Sequence, residues 1–326
     1  MKFISAFKAA TVAAAMATAV SMPASAQEWP TQPITLIVPF SAGGGSDPVA
    51  RLLAEGLGER LGQPVLVEFQ PGASATIGTN TVVQSKPDGY TLLLTPNTPV
   101  VNVKYTIPDL PYDVEDVVPI TQVTGASVMV VANANFAPNN FQELVDYAKA
   151  HPGEINMAIQ GTGGVSHYAA SLIQMRTGTE YNFVPYKGAG DMLADMLSGV
   201  VDVGFGFPAS FLPGVESGKL KFLAALSSEP LNSLPDVKTA KDQGFPAIQV
   251  NSWLMLFGPK GTPEDVVKKI ADATGDFLKA EGIAQRLEEL GYSVPSDSSP
   301  AAAAAVLEQD RKDFQEVYES GAMDVE

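Results

Sequence analysis

The sequence predicts an α/β protein built from two lobes with a ligand cleft between them. Strand-like and helix-like stretches alternate along the chain, which is typical of a largely parallel sheet covered on both faces. Two glycine-rich turns, at residues 41–47 and 161–166, each join a buried-looking strand to the start of a helix. Two apolar stretches, at residues 117–133 and 248–257, are placed to carry the chain into a second lobe and back.

The first 26 residues have the pattern of an export signal. Two lysines flank the start of an apolar run that covers residues 9–20, and Ala24-Ser25-Ala26 is an A-x-A cleavage site. The apolar run is too short for a membrane span. We therefore expect cleavage near Ala26-Gln27 and a soluble periplasmic protein.

Composition narrows the classes of partner. The formal net charge of −16 argues against nucleic acid and anionic membranes as partners. A small anionic ligand is still allowed, since distant charges are screened beyond about 8–10 Å. The absence of cysteine removes disulfides and a lipid-anchoring cysteine. With two histidines and no nucleotide-loop or dinucleotide spacing, we expect no metal site and no cofactor.

The first lobe begins with a strand at residues 34–40 and its glycine-rich turn. A helix is predicted over residues 49–61, with Asp47 as N-cap, Pro48 at the first helical position and Gly62 at the end. The next predicted elements are a strand at 64–69, a loop and helix at 70–85, and a strand at 90–94.

The second lobe repeats this alternation. Its predicted helices cover residues 140–151, 166–176 and 188–198, and its strands cover 155–160, 183–186, 202–207 and 221–226. After the return crossing, Thr262-Pro263 and Ser299-Pro300 each read as a cap followed by a first-turn proline. We predict that residues 1–26 are the signal, that residues 27–125 and 253–326 form lobe 1, and that residues 126–252 form lobe 2.

Short motifs in a fixed order cover nearly all of the expected mature chain. They are VPFSAGGGSD at residues 38–47, RLLA at 51–54, PGAS at 71–74, IG at 77–78, PDGYTLL at 87–93, VPYKG at 184–188, VDV at 201–203, GKL at 218–220, LPDV at 234–237, SW at 252–253 and PKGTP at 259–263. In this order the chain resembles the Bug-type receptors, which are the substrate-binding proteins of tripartite tricarboxylate transporters.

The resemblance implies a hinged, two-lobe periplasmic binding protein fold of type II-like topology. It implies a monomeric receptor without enzymatic activity that closes over a small carboxylate. The partner it implies is a membrane permease made of one large and one small subunit.

The resemblance also places ligand-binding residues on both glycine-rich turns. Backbone N–H groups at a helix start, with the helix dipole behind them, suit a carboxylate. The residues assigned in this way are Phe40, Ser41, Gly43, Gly44, Gly45, Ser46 and Asp47 on the first turn, and Gly161, Thr162, Gly163, Ser166 and His167 on the second. For either turn, a glycine-tightened connection without a ligand is the alternative. For Asp47 the alternative is a pair with Arg51, one helical turn on.

Further candidates lie on the neighbouring loops and strand ends. They are Ser74, Thr95, Asn97, Tyr186, Phe205 and Phe207. The family often has polar residues where this chain has Gly206-Phe207, so we expect an apolar or aromatic part between the acid groups of the ligand. The alternative is that Phe205 or Phe207 packs in the core of the lobe.

Two other functions stay open. Ser166 and His167 would serve as nucleophile and base in an exported hydrolase or transferase, although adjacent residues rarely point at each other and no Gly-x-Ser-x-Gly elbow surrounds them. A receptor that feeds a sensor kinase instead of a permease would share the same binding fold.

Overall fold

The computed structural model describes residues 29–160, 163–186 and 189–323, without the side chains of Ala189 and Asn251. Residues up to Thr31 form a unit of their own, and the fold described below begins at Gln32. The predicted export signal and its cleavage site lie outside the described residues.

Two five-stranded sheets form two lobes. The strands are β1 (Ile34–Val38), β2 (Val65–Phe69), β3 (Thr91–Thr95), β4 (Val117–Ser127), β5 (Met129–Asn133), β6 (Asn156–Gln160), β7 (Asn182–Tyr186), β8 (Val203–Gly206), β9 (Leu220–Ala225) and β10 (Asn251–Pro259). Sheet A has the order β2-β1-β3-β10-β4, and sheet B has the order β7-β6-β8-β5-β9.

Helices cover the two sheets. They are α1 (Ser46–Leu61), α2 (Thr76–Val83), α3 (Val103–Thr106), α4 (Phe141–Ala150), α5 (Val165–Thr177), α6 (Ala189–Ser198), α7 (Pro208–Glu216), α8 (Glu264–Leu278), α9 (Ile283–Glu289) and α10 (Pro300–Glu319). The predicted alternation of strands and helices is confirmed in both lobes. Within the described part of the chain, none of these helices is both long and apolar enough to cross a bilayer.

Each sheet is mixed, with one antiparallel strand among its five. In sheet A, β10 runs antiparallel to both β3 and β4, while β1 is parallel to β2 and β3. In sheet B, β5 has the corresponding position between β8 and β9, and β6 is parallel to β7 and β8. The prediction of largely parallel sheets is therefore right for most strands. The antiparallel strands are those next to the two crossings, because a chain that enters a lobe from its cleft side must run away from the cleft.

The strand order places the glycine-rich turns at matching points. β1 lies between β2 and β3, and β6 lies between β7 and β8. The strands that follow β1 and β6 in the chain are therefore added on opposite sides of them. In open α/β sheets, ligands bind beyond the carboxyl ends of strands at such a switch point. The first turn follows β1 and the second follows β6, so each lies at the switch point of its own sheet.

The crossing between the sheets is short. Only Val128 separates β4 of sheet A from β5 of sheet B, and β10 brings the chain back to sheet A. The exact division into residues 27–125 plus 253–326 and residues 126–252 stays a prediction.

The start of α1 differs from the prediction. The helix begins at Ser46 with Gly45 as its N-cap, so the assignment of Asp47 as N-cap is wrong. Asp47 lies in the first helical turn instead, because a turn closed by its own N–H on Gly44 O (3.1 Å) starts the helix earlier. At the other end Gly62 has φ of 71°, so the predicted glycine stop is confirmed.

Candidate ligand-binding site

The first glycine-rich turn presents free amides next to the start of α1. Gly44 N–H donates to Ser41 O (3.2 Å), and the amides of Gly43 and Asp47 also have partners within the turn. The N–H groups of Gly45 and Ser46 have no acceptor among the described residues. They point from the positive end of a sixteen-residue helix, which favours an anion.

Asp47 holds this turn from within. Its carboxylate accepts Gly43 N–H at 2.7 Å and pairs with Arg51 Nε at 2.6 Å. The Gly43 N–H, opposed by partial desolvation and aided by Arg51, keeps the pKa of Asp47 below its ordinary value. The pair with Arg51 that the sequence offered as an alternative role is therefore present. A direct contact of Asp47 with the ligand stays a prediction.

The rest of the predicted first-lobe residues surround this turn. Phe40 is half-buried and Ser41 is exposed. Ser74 is exposed and lies in a run of three non-glycine residues with positive φ, Ala73, Ser74 and Ala75 (45°, 54° and 72°). Such backbone costs free energy and is found at functional sites more often than elsewhere.

Polar groups at the end of β3 are buried. The Thr95 side chain is fully buried, and its hydroxyl has no hydrogen-bond partner among the described residues. Asn97 Nδ2 donates to Asp310 Oδ2 at 3.3 Å, and Trp253 Nε1 donates to the same oxygen at 2.6 Å. Burial raises the pKa of Asp310 to about 7, against the lowering effect of both donors. Asp310 thus holds the side chains of both Asn97 and Trp253.

The second glycine-rich turn is tied to the other lobe. Gly163 is buried, and its carbonyl accepts Asn102 Nδ2 at 2.8 Å. Gly163 has φ of 76°, and a Cβ there would come within 2.5 Å of Thr106 Cγ2. Both partners belong to the segment that follows β3, so only glycine allows this close approach. Gly161 and Thr162 lie outside the described residues.

Ser166 and His167 serve the backbone of the same turn. The Ser166 hydroxyl accepts Gln160 N–H at 2.6 Å, and His167 Nδ1 accepts Gly163 N–H at 3.1 Å. The His167 ring is 1% exposed and packs edge-on against Phe183, with centroids 5.4 Å apart. Both side chains therefore shape the turn, and their contact with the ligand stays a prediction.

The aromatic candidates of the second lobe have three different surroundings. Phe205 is fully buried in the core, as the sequence alternative allowed. The Tyr186 hydroxyl donates to Asp195 Oδ2 at 2.8 Å, and burial, aided by Asp195, raises the pKa of Tyr186 to about 12. Phe207 is half-buried at the N-cap of α7. Of these three side chains, Phe207 is the one whose ring lies near that of Tyr292.

Gly291-Tyr292-Ser293, a segment without a recognisable motif, lies near the starts of α1 and α7. Tyr292 Oη donates to Gly45 O at 3.1 Å, and its ring lies 6.4 Å from that of Phe207. The backbones of Ser293 and Gly125 exchange two hydrogen bonds of 2.8 Å, which fix the segment on β4. Tyr292 therefore lies between the first glycine-rich turn and α7.

Comparison with known proteins decides the family. A family model described as tripartite tricarboxylate transporter family receptor (TctC) matches residues 49–317. The chain belongs to this receptor family. Protein BugT of Bordetella pertussis is 35% identical over 274 residues, which are 83% of this chain and 84% of BugT.

Solved structures agree with this receptor in fold. One described as a periplasmic transporter has 32% identity and a TM-score of 0.78, covering 91% of this chain and 100% of its own. MatC of Rhodopseudomonas palustris, solved with malate, has 30% identity, a TM-score of 0.74, and coverage of 89% and 100%. A second protein of that organism, solved with adipate, has 26% identity, a TM-score of 0.77, and coverage of 90% and 98%.

The family answers one question that the sequence left open. It is a family of receptors and not of enzymes, so the hydrolase alternative built on Ser166 and His167 is set aside. The geometry gives the physical reason, since the two side chains bond separate backbone amides and not each other.

Three contributors to the site had no sequence signal. Asn102, Tyr292 and Asp310 reach partners that are 61, 247 and 213 residues away along the chain. Each is a common residue type without a local motif. A pairing of distant positions is what an alignment of many related chains reveals, and a single sequence does not contain it.

Proposed function

We propose that this receptor binds a small carboxylate between its lobes in the periplasm and delivers it to a membrane permease of one large and one small subunit. The observation that carries the proposal is the pair of strand–turn–helix units at the switch points of the two sheets. On the first unit, the Gly45 and Ser46 amides are available to a carboxylate oxygen. Each charge-assisted bond of this kind contributes about 1.5–3 kcal/mol.

The second unit supplies the opposite wall of the proposed site. Ser166 and His167 hold the described part of its backbone, and the proposed donors on this side are those that the sequence predicts, the amides of Gly161 and Thr162. The malate and adipate bound by two structural relatives support a carboxylate as the class of ligand. The N-terminal signal pattern and the family support the periplasm as the location.

The middle of the ligand is proposed to lie against aromatic rings. Phe207 and Tyr292 approach each other at the edge of the two helix starts, and neither carries a charge. A straight-chain or aromatic carboxylate, with one or two acid groups, matches such walls. Delivery to a sensor kinase is the alternative destination, and the binding site would be the same.

A thermal-shift screen over mono- and dicarboxylates tests the proposal. A ligand at a hundred times its dissociation constant is expected to add about 2.7 kcal/mol of stability. Gly44→Leu is expected to abolish this gain, because a side chain there starts 3.1 Å from Ser41 O and covers the turn. Gly58→Leu, near the far end of α1 from the turn, is the control, because the nearest heavy atom to its added Cβ is Gln63 O at an ordinary contact distance of 3.5 Å. No gain from any carboxylate, or the same gain in Gly44→Leu, contradicts the proposal.

A further inference from the structure

A cavity of about 430 Å³ is lined by residues of both lobes, at the β4 side of sheet A and the β9 side of sheet B. Its walls include Ser127 at the end of β4, Ser252 at the start of β10, and Ser227 just after β9. β4 runs in the same direction as β3, since both are antiparallel to β10. β9 likewise runs in the same direction as β8, since both are antiparallel to β5. The ends of these strands therefore face the same cleft as the turns after β1 and β6. The volume is within the range of small-molecule pockets, about 300–1,000 Å³.

Tyr292 is shared by this cavity and the proposed carboxylate site. Its hydroxyl bonds Gly45 of the first turn, and its side chain also lines the cavity. Gly291, with φ of 84°, lies against Ala209 of α7, where an added Cβ would be 3.5 Å from the Ala209 Cβ. The position of Tyr292 is thus fixed from both lobes, and the two spaces adjoin along its ring.

The lining of the cavity is polar but lacks positive charge. Of its lining residues, all within the described part of the chain, none is Lys, Arg or His. Six are serines, namely Ser127, Ser227, Ser228, Ser233, Ser252 and Ser293. The two acidic lining residues, Glu229 and Glu288, are exposed at the outside, and Glu229 pairs with Lys241 at 3.0 Å. A second carboxylate would find no cation here, and burying it unpaired would be costly.

The inner hydroxyls are suited to an uncharged hydrogen-bonding group. Ser252 is 5% exposed, and no described residue bonds its hydroxyl. Ser227 donates its proton to Glu229 O at 2.7 Å, so its oxygen is left as an acceptor. Trp253, whose side chain is buried, is also among the lining residues. Hydroxyls that both donate and accept match a hydroxyl or an amide.

We propose that the bound carboxylate extends past Tyr292 into this cavity and ends there in an uncharged hydroxyl or amide group. This inference rests on the proposed function, because the carboxylate end is held by the glycine-rich turns. It narrows the ligand to a monocarboxylate with an uncharged polar end. Ser227 and Ser252 are then residues that determine specificity.

Three probes with the same six-carbon chain test the inference by calorimetry on the mature protein. Hexanoate, 6-hydroxyhexanoate and adipate differ only in the far end of the chain, which is a methyl, a hydroxyl or a carboxylate. We expect 6-hydroxyhexanoate to bind about tenfold more tightly than hexanoate, since one net hydrogen bond has about that value. Adipate is expected to bind more weakly than 6-hydroxyhexanoate. Adipate binding as tightly as 6-hydroxyhexanoate, or more tightly, overturns the inference.

Two variants locate the effect in the cavity. Ser252→Ala is expected to remove the advantage of 6-hydroxyhexanoate over hexanoate. Ser227→Leu replaces a hydroxyl by an apolar side chain that takes up part of the cavity, and it is expected to weaken both of these probes about tenfold or more, while butyrate binds as before. Ser198→Leu, at an exposed serine outside the cavity, is the control and is expected to change none of these affinities.

The outcomes separate the two proposals. If butyrate binds and Gly44→Leu abolishes that binding, but Ser227→Leu and Ser252→Ala leave every probe unaffected, the carboxylate site stands and the extension is overturned. If none of the four probes binds, the extension is overturned, and the carboxylate site is then decided by the wider screen of mono- and dicarboxylates.

Discussion

The two glycine-rich turns have equivalent positions on their sheets, yet they are held by different chemistry. The first is exposed and is held by the charged pair of Asp47 and Arg51 from its own helix. The second is buried at Gly163 and is held by neutral groups, His167 Nδ1 and Asn102 Nδ2. One turn is therefore fixed locally and by charge, and the other across the lobes and by packing. Variants that disturb packing are expected to affect the second turn most, and changes of pH the first.

Gly163→Ala is expected to have the largest effect. A non-glycine residue at φ of 76° costs about 1–2 kcal/mol, and the contact of its Cβ with Thr106 adds an overpacking cost of about 1–3 kcal/mol. We expect a loss of about 2–5 kcal/mol in the free energy of unfolding, measured by urea denaturation.

Gly153→Ala is the matched control for this variant. Gly153 has φ of 74°, but no heavy atom lies within 4 Å of the added Cβ. Its loss is expected to be the backbone cost alone, about 1–2 kcal/mol. Equal losses in the two variants would show that the contact with Thr106 carries no cost, and the account of the buried turn would be wrong.

Asn102→Ala breaks the bond between the lobes and is expected to cost about 1.5 kcal/mol, because the buried carbonyl of Gly163 loses its partner. Asn182→Ala removes a bond of the same kind, Asn182 Nδ2 to Asn156 Oδ1 at 2.7 Å, on an exposed surface. That control is expected to cost less than about 0.5 kcal/mol. An equal loss of stability in Asn182→Ala and Asn102→Ala would contradict the role given to the buried bond.

Asp310→Asn tests the role of carboxylates on the side of sheet A. The pKa of Asp310 is raised to about 7 in the folded protein, from about 4 in the unfolded chain. The folded state then keeps a proton that the unfolded state has lost, so stability falls as pH rises from about 4 to about 7 and is level above that. Asp310→Asn is expected to remove this fall and to raise stability at pH 8 by on the order of 1 kcal/mol.

Melting temperatures at intervals from pH 4 to pH 8 measure the effect of Asp310→Asn. Asp313 is the one charged neighbour that contributes to the raised pKa of Asp310. Asp313→Asn is therefore expected to give a smaller change in the same direction. If the melting temperatures of the wild type and Asp310→Asn change by the same amount between pH 4 and pH 8, the raised pKa of Asp310 is contradicted.

The difference between the turns also explains what a single sequence predicts. The pair of Asp47 with Arg51 and the stop at Gly62 are local, so spacing along the chain was sufficient to propose them. The N-cap assignment failed by two residues because the backbone of Gly45 is already in the right-handed helical region (φ −57°, ψ −34°), so the helix starts before Asp47. Asn102, Tyr292 and Asp310 contact partners far along the chain, and no local pattern encodes these contacts. Nor does the apolar pattern of β5 or β10 specify that it runs antiparallel to its neighbours.

Asp47→Asn is expected to have the smallest effect, and one confined to pH. The pKa of Asp47 is lowered by Gly43 N–H and Arg51, so its contribution is present at neutral pH and is lost as pH falls through the folded pKa. An amide oxygen at this position still accepts Gly43 N–H but loses the attraction to Arg51. The wild-type protein is therefore expected to lose more stability between pH 6 and pH 3 than Asp47→Asn does.

Asp272→Asn removes an exposed i,i+4 pair of the same length, 2.6 Å to Lys268, that has no backbone donor. If Asp272→Asn flattens the pH response as much as Asp47→Asn does, the Gly43 N–H adds nothing, and the first turn is not held in the way described.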